Sequence, residues 1–277
     1  MTGFAAPRTV ADASALLAAG GVAVAGGTDL VVAARSGRGA LPDTLVSLHR
    51  VQGLRGIEVA TDGGLRIGAL ATHAELERSE IVRSGWAALA DAAVLVGSPA
   101  TRNVGTVGGN LANASPAMEL GAPLLVHEAR VESSSGHSLA LEDFLVGPGQ
   151  NALAPAELIT AVAVPGPAAG AYVRLEYRRA MEIAVVGAAA LLVLDGAGRI
   201  EAARIALAAV APTCVRARAA EESLRGATAG DFAAAAELAV EAAAPISDVR
   251  ASERYRRRQI PVVVRRALER AWERARR

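Results

Sequence analysis

The first fifty residues set short apolar runs against glycine-rich breaks. Val10, Ala13, Leu16 and Leu17 recur at helical spacing behind Thr9 and stop at Gly20, which predicts an amphipathic helix capped by the Thr9 side chain. Val22 to Ala25 reads as a strand, Gly26 and Gly27 turn the chain, a short helix covers Leu30 to Ala34, and Thr44 to Leu48 is a second strand. Helices and strands alternating through short links predict a small parallel unit. From Ile57 the pattern changes. Ile57 to Ala60 and Leu65 to Ala69 flank Thr61-Asp62-Gly63-Gly64 and predict an antiparallel hairpin, so a second unit starts near Leu54.

Thr72 to Glu75 fits a capping box, which makes His73 a first-turn helix residue rather than a ligand or base. A helix over Trp86 to Val96 leads into the glycine-rich stretch Val104 to Pro116. A helix within Met118 to Val126, strands at Arg130 to Glu132 and Ser138 to Leu141, and a strand at Leu158 to Val164 complete this unit. Gly147 to Ala152 fits a loose dinucleotide-fold glycine pattern, but no strand feeds it, so it reads as a loop. Pro165 to Gly170 reads as a linker. Strands at Tyr172 to Tyr177, Ala184 to Leu194 and Ile200 to Val210 then precede alanine-rich helices at Arg216 to Arg225 and Phe232 to Ala244, the order of a separate α+β domain. The last helix carries Val264, Leu268 and Trp272 at four-residue spacing. Pro261 is expected to break or restart it, and the arginines after Arg265 to form a solvated face at its C-terminus.

Two segments carry candidate chemistry. Ala25-Gly26-Gly27-Thr28-Asp29-Leu30 joins a strand to a helix, and Thr106-Val107-Gly108-Gly109-Asn110 follows later, with Asn113 and Ser115 just beyond. Glycine lets a ligand lie on the main chain, and consecutive N–H groups in such turns converge on an anion. Either segment alone reads as a tight turn in a chain with 28 glycines. Together, with few basic residues inside them, they suit a pyrophosphate, which needs many directed donors.

The 277 residues are 52% hydrophobic with a formal charge of +1, enough to bury a large core and form about two domains, and too neutral for a nucleic-acid surface. All the basic residues are arginine, which excludes Schiff-base or P-loop lysine chemistry. Cys214 is the only cysteine, so the chain holds no internal disulfide and no cysteine-ligated iron–sulfur cluster of its own. The N-terminal residues have no signal pattern and no apolar run reaches membrane-span length, so a soluble cytoplasmic protein is expected. No His-Glu-x-x-His, cysteine pair or Gly-x-Ser-x-Gly elbow is present, and His49, His73, His127 and His137 are scattered. A protein that binds a phosphate-rich cofactor, and leaves the chemistry to it, fits best.

The ordered pair Ala-Gly-Gly-Thr-Asp at Ala25 to Asp29 and Thr-Val-Gly-Gly-Asn at Thr106 to Asn110 resembles the two FAD-pyrophosphate loops of the flavoprotein subunit of molybdenum hydroxylases, the xanthine dehydrogenase and carbon monoxide dehydrogenase group. The resemblance covers nearly the whole chain. It implies an α+β fold: two FAD-binding subdomains of the vanillyl-alcohol-oxidase (PCMH) type, 1–54 and 55–167, then a smaller α+β C-terminal domain, 168–277. It also implies that Ala25, Gly26, Gly27, Thr28, Asp29 and Leu30 face one side of the pyrophosphate and Thr106, Val107, Gly108, Gly109 and Asn110 the other, with Asn113 and Ser115 lining the groove. Glu119 stands where the family has an aspartate near the ribityl part of FAD; an acid at a helix N-terminus is its alternative reading. Arg178 to Ala184 resembles the arginine-rich loop beside the flavin ring, which brings in Arg179, Glu182 and Ile183. Pro245 to Arg250, with Tyr255 and Arg256, resembles the family's C-terminal domain and reads as structural or interfacial. The resemblance implies an electron-transfer subunit with FAD in this chain, two [2Fe–2S] clusters on a small partner, the molybdenum cofactor on a large partner, and an external electron acceptor. A self-contained flavin oxidase or reductase of the same fold is the alternative, and a scaffold that has lost its cofactor is a third reading.

Overall fold

The computed structural model describes residues 3–37, 39–178 and 180–277. Strand β1 (Gly3–Ala5), helix α1 (Val10–Ala18), strand β2 (Val22–Val24), helix α2 (Thr28–Arg35) and strand β3 (Thr44–Ser47) form the first unit, a parallel sheet in the order β1-β3-β2. Thr9 caps α1 by accepting from the Asp12 amide at 3.1 Å. Helix α2 begins two residues earlier than expected, because left-handed Gly27 (φ 68°) reverses the chain in a single step. The core of this unit is small: Ala13, Val46, Leu48, Val51 and Leu54 pack with Leu70 and Leu158 from the next unit.

The second unit runs through β4 (Ile57–Val59), β5 (Leu65–Gly68), α3 (His73–Arg78), α4 (Glu80–Gly85), α5 (Ala87–Ala93), α6 (Pro99–Val104), α7 (Val107–Asn113) and α8 (Gly121–Val126). It continues with β6 (Arg130–Ser133), β7 (Ser138–Ala140), α9 (Leu141–Phe144), β8 (Leu145–Gly147), β9 (Gln150–Asn151) and β10 (Ile159–Val164). Its five-stranded sheet is antiparallel in the order β4-β5-β10-β6-β7. The Thr72–Glu75 capping box forms as expected. Residues 145–151 are a short β8–β9 hairpin turned at Gly149 (φ 70°), not a loop. The helix expected over Trp86 to Val96 is shorter, and Trp86, which precedes it, is buried with its indole N–H donating to the Pro165 carbonyl at 2.7 Å.

Strands β11 (Ala169–Leu175), β12 (Val186–Leu194), β13 (Ile200–Ala208) and β14 (Val215–Arg216) form an antiparallel sheet, followed by α10 (Arg218–Ser223), α11 (Phe232–Leu238) and α12 (Glu253–Ala275). Val186 to Leu192 are all buried because the sheet is covered on both faces. Val186, Ala188, Ala190 and Leu192 pack in the core that includes Ile260, Val264 and Leu268 of α12, whereas Ala189 and Leu191 join the central core with Leu65 and Phe144.

Two expectations for α12 are corrected. The helix runs without interruption through Pro261. The missing amide and ring clash cost about 3 kcal/mol in an isolated helix, but Ile260, Val263, Val264, Ala267 and Leu268 are buried around that point, and their packing holds the helix. The terminal arginines are not simply solvated either. Arg270 and Arg274 both pair with Asp91 of α5, at 2.8 and 2.7 Å, and Arg274 also donates to the Gly170 carbonyl at 2.7 Å, so the end of α12 is tied to the second unit.

Arg256 is buried and takes a structural role: Nη1 donates to the Val185 carbonyl at 2.6 Å and the Ala209 carbonyl at 2.9 Å, and Nη2 pairs with Asp248 at 2.9 Å. Truncation strands two carbonyls and a carboxylate. Arg256→Ala is expected to destabilise the protein by about 2–4 kcal/mol, read as a fall of several degrees in melting temperature; an unchanged melting temperature would contradict this role.

Candidate cofactor cleft

A cleft of about 710 Å³ opens between the first and second units. Ala25, Gly26, Gly27, Thr28, Asp29 and Leu30 line it from one side, and Thr106, Gly109, Asn110 and Asn113 from the other. The two sides touch through backbone. A Cβ on Gly26 would lie 2.0 Å from the Val104 carbonyl oxygen and 3.0 Å from the Gly105 Cα, so only glycine permits this approach. Asn113 bridges the sides a second time, its amide donating to Asp29 Oδ1 at 3.3 Å.

The sides differ in what they offer. On the first, Gly27 occupies the N-cap of α2 and contributes no side-chain cap, so the first-turn amides of Thr28 and Asp29 have no side-chain acceptor. An uncapped helix start of this kind suits an anion. On the second side, the glycine stretch is a capped helix. Thr106 Oγ1 accepts from the Gly109 amide at 3.1 Å, and the Thr106 carbonyl accepts from the Asn110 amide at 2.9 Å. The amides of Val107 and Gly108 donate to the carbonyls of Ala71 and Ala69 at 2.9 and 2.8 Å.

All four of these amides are therefore engaged within the chain, a correction to the picture of two equivalent amide cradles. Val107 and Gly108 are buried beneath the cleft rather than lining it. A Cβ on Gly108 would meet the Ala69 Cβ and carbonyl oxygen at 2.8 Å, so this glycine serves packing. Gly109 is different: the nearest atom to its Cβ is Thr106 Oγ1 at 3.0 Å, and no other lies within 4 Å. Asn110 adds an acceptor, Oδ1, that is buried in the wall with no partner among the described residues.

His73 sits in the first turn of α3 as expected, yet it also lines the cleft against Gly105, and its amide donates to the Gly105 carbonyl at 3.1 Å. Burial, reinforced by Arg102, pushes its pKa down to about 4, so the imidazole is neutral at physiological pH. The capping box placed this residue on a helix; only the Thr72–Thr106 bridge brings it to the cleft.

The remaining expected site residues are not gathered here. Ser115 lies outside the cleft lining, its hydroxyl accepting from the Ala117 amide at 3.3 Å. Glu119 is buried elsewhere, paired with Arg174 and accepting from the Tyr172 hydroxyl at 2.7 Å. Burial pushes its carboxyl up to about 6 against the opposing pull of those two partners. Glu182 pairs with Arg178 at 3.0 Å and accepts from the Ile183 amide at 3.2 Å, which folds that loop on itself. The Met181 amide donates to the Gly97 carbonyl at 3.3 Å, bringing the loop beside Val96, at one end of the cleft. Arg179 lies outside the described residues. Among the described residues no group of three or more His, Cys, Asp or Glu could hold a metal, and no helix is long and apolar enough to cross a membrane. Burial raises the Cys214 thiol to about 12, which leaves it unreactive.

A parallel unit and an antiparallel unit meeting at an uncapped helix start, with neutral amide and hydroxyl groups facing it, define a phosphate-cofactor binding protein. Residues 1–167 match the FAD binding domain in molybdopterin dehydrogenase and residues 171–271 the CO dehydrogenase flavoprotein C-terminal domain, and the chain belongs to this family, the FAD-binding medium subunits of the molybdenum hydroxylases. It is 36% identical to the 6-hydroxypseudooxynicotine dehydrogenase complex subunit alpha of Paenarthrobacter nicotinovorans, over 97% of this chain and 93% of that one. It is 35% identical to the carbon monoxide dehydrogenase medium chain of Afipia carboxidovorans, over 97% and 96%. Among solved structures, reconstituted CO dehydrogenase from Oligotropha carboxidovorans superposes with a TM-score of 0.93 at 31% identity over 99% of each chain.

The two glycines of α7 separate packing from ligand contact. Gly108→Ala is expected to destabilise by about 1–3 kcal/mol through overpacking against Ala69, whereas Gly109→Ala, whose Cβ meets only the Thr106 hydroxyl, is expected to change stability by less than about 1 kcal/mol because helix propensity offsets that contact. Urea midpoints of the two variants check this, and equal midpoints would contradict it.

Proposed function

We propose that this chain holds FAD non-covalently in the cleft, with the diphosphate at the start of α2, and works as the electron-transfer subunit of a larger complex. The observation that carries the reading is the uncapped first turn of α2 in the cleft wall, held there by the Gly26–Val104 contact. The residues present fit the cofactor: amides of Thr28 and Asp29 for the anion, the bare Cα of Gly109 in the lining, and the unpaired Oδ1 of Asn110 as an acceptor for a cofactor N–H or O–H. When bound, FAD supplies the redox chemistry that none of these side chains offers. The chain's own part is to bind and orient it: Val22, Val24, Val32 and Val96 supply the apolar share of the cleft, and Met181 bonds to Gly97 next to Val96.

On this reading 1–54 and 55–167 are the two subdomains of a PCMH-type FAD fold, and 168–277 is the C-terminal domain. The partners are a small subunit with two [2Fe–2S] clusters and a large subunit with the molybdenum cofactor, and the chain links those clusters to an external acceptor. Ser115, Glu119, Arg179, Glu182 and Ile183 stand as further cofactor-side residues, Glu119 through the Tyr172–Arg174 cluster behind the site. Support comes from the family membership and from relatives named as subunits or chains of dehydrogenases.

Gly109→Val places a branched side chain where the cleft is open at the backbone. It is expected to lower FAD content strongly while the far-UV circular dichroism stays native; unchanged FAD content would count heavily against this site. The isolated FAD-loaded chain, mixed anaerobically with aldehydes, purines or other N-heterocycles, is expected to keep its oxidised flavin spectrum and to bleach only with dithionite. Rapid bleaching by an organic substrate without partner subunits would overturn the subunit role in favour of a self-contained oxidase.

A further inference from the structure

A second cleft, of about 680 Å³, lies where the turn between α4 and α5, the segment Pro167 to Ala169 and the end of α12 meet. Its charge is one-sided. Arg83 enters from α4, Arg270 and Arg274 share one face at the end of α12, and Arg277 follows just beyond the helix. Asp91 is the one acid among the lining residues. Its capacity is already committed: it accepts from Arg270, from Arg274 and from the Tyr172 amide at 3.1 Å. No described residue forms an ion pair with Arg83 or Arg277.

A helix C-terminus favours arginines, which accounts for Arg277 as a solvated end, and Arg274 is held by Asp91 and the Gly170 carbonyl. Neither accounts for Arg83, which belongs to another element and converges on the same hollow. The wall between the arginines is small-residue surface, with Gly85 so close to Pro167 that a Cβ would lie 3.0 Å from the proline ring. Four arginines against one aspartate leave an excess of three positive side-chain charges around a space of ligand size. Guanidinium groups pair with phosphate oxygens in a two-pronged fashion, and Arg83 on one element facing the arginines at the end of α12 matches two linked phosphates better than one carboxylate.

We infer that this cleft is an anion site for a diphosphate group, separate from the cofactor cleft, and that its ligand joins α4 to the end of α12 between Arg83 and Arg277. The diphosphate comes either as free pyrophosphate or as part of a nucleotide. The test uses the full-length FAD-loaded protein, titrated calorimetrically with inorganic pyrophosphate, ADP and adenosine at constant ionic strength set with chloride, while released flavin is measured. Saturable binding of pyrophosphate or ADP without flavin release, and none of adenosine, is the expected result; the tighter of the two identifies the source. Arg83→Gln, a change at an exposed position, is expected to weaken that binding at least tenfold with flavin content and melting temperature unchanged, and adding Arg277→Gln to remove it. Three results would overturn the inference: no saturable binding of either phosphate ligand, binding that displaces FAD, or binding indifferent to Arg83→Gln.

Discussion

The cofactor cleft depends on one backbone contact. Gly26 approaches the Val104 carbonyl so closely that a Cβ would sit 2.0 Å from the oxygen, and this fixes the turn after β2 against the end of α6. Everything lining the cleft follows from that apposition. Gly27, one residue on, takes the left-handed conformation and starts α2 without a side-chain cap, while Thr106, two residues beyond Val104, caps α7. The contact therefore sets an unsatisfied helix start opposite a satisfied one. Two similar glycine motifs end up with different surroundings: the first leaves helix-start amides without a side-chain cap, and the second supplies a wall, Gly109 beside the Thr106 hydroxyl and side chains at Asn110 and Asn113.

The scaffold behind the cleft is shared rather than modular. Leu70 and Leu158 of the second unit complete the core of the first, and alternate residues of β12 serve two cores at once. Buried charge reinforces these junctions: Glu119 ties the segment before α8 to Tyr172 and Arg174 on β11, and Asp91 on α5 holds the end of α12. Removing either partner of the Glu119–Arg174 pair would leave the other charge buried and unpaired. The third sheet thus holds the middle unit from behind while the first unit closes over its front.

Much of this was legible in the sequence because it is local. The α1 cap at Thr9, the β4–β5 hairpin and the Thr72–Glu75 capping box depend on neighbours within a few residues, and they form as read. The glycine pairs were legible as places of close backbone approach, which Gly26 and Gly108 make against Val104 and Ala69. What the chain could not reveal is which amides were already spoken for: Val107 and Gly108 donate to Ala71 and Ala69, more than thirty positions away. The β1 strand escaped notice because three residues carry no periodicity and their pairing with β3 is long-range. Helix α7 was hidden by its two glycines, and the continuity of α12 through Pro261 comes from packing rather than propensity. His73 and the Asp91 partners Arg270 and Arg274 became visible as cleft or junction residues only once the units were brought together.

The asymmetry between the two glycine motifs is the central claim, and amide hydrogen exchange with and without FAD tests it most directly. If the diphosphate rests on the uncapped start of α2, FAD slows exchange strongly across residues 25–31 and changes little at 107–110, where the amides are already bonded within the chain. Protection gained mainly at 107–110, with residues 25–31 unaffected, would contradict it.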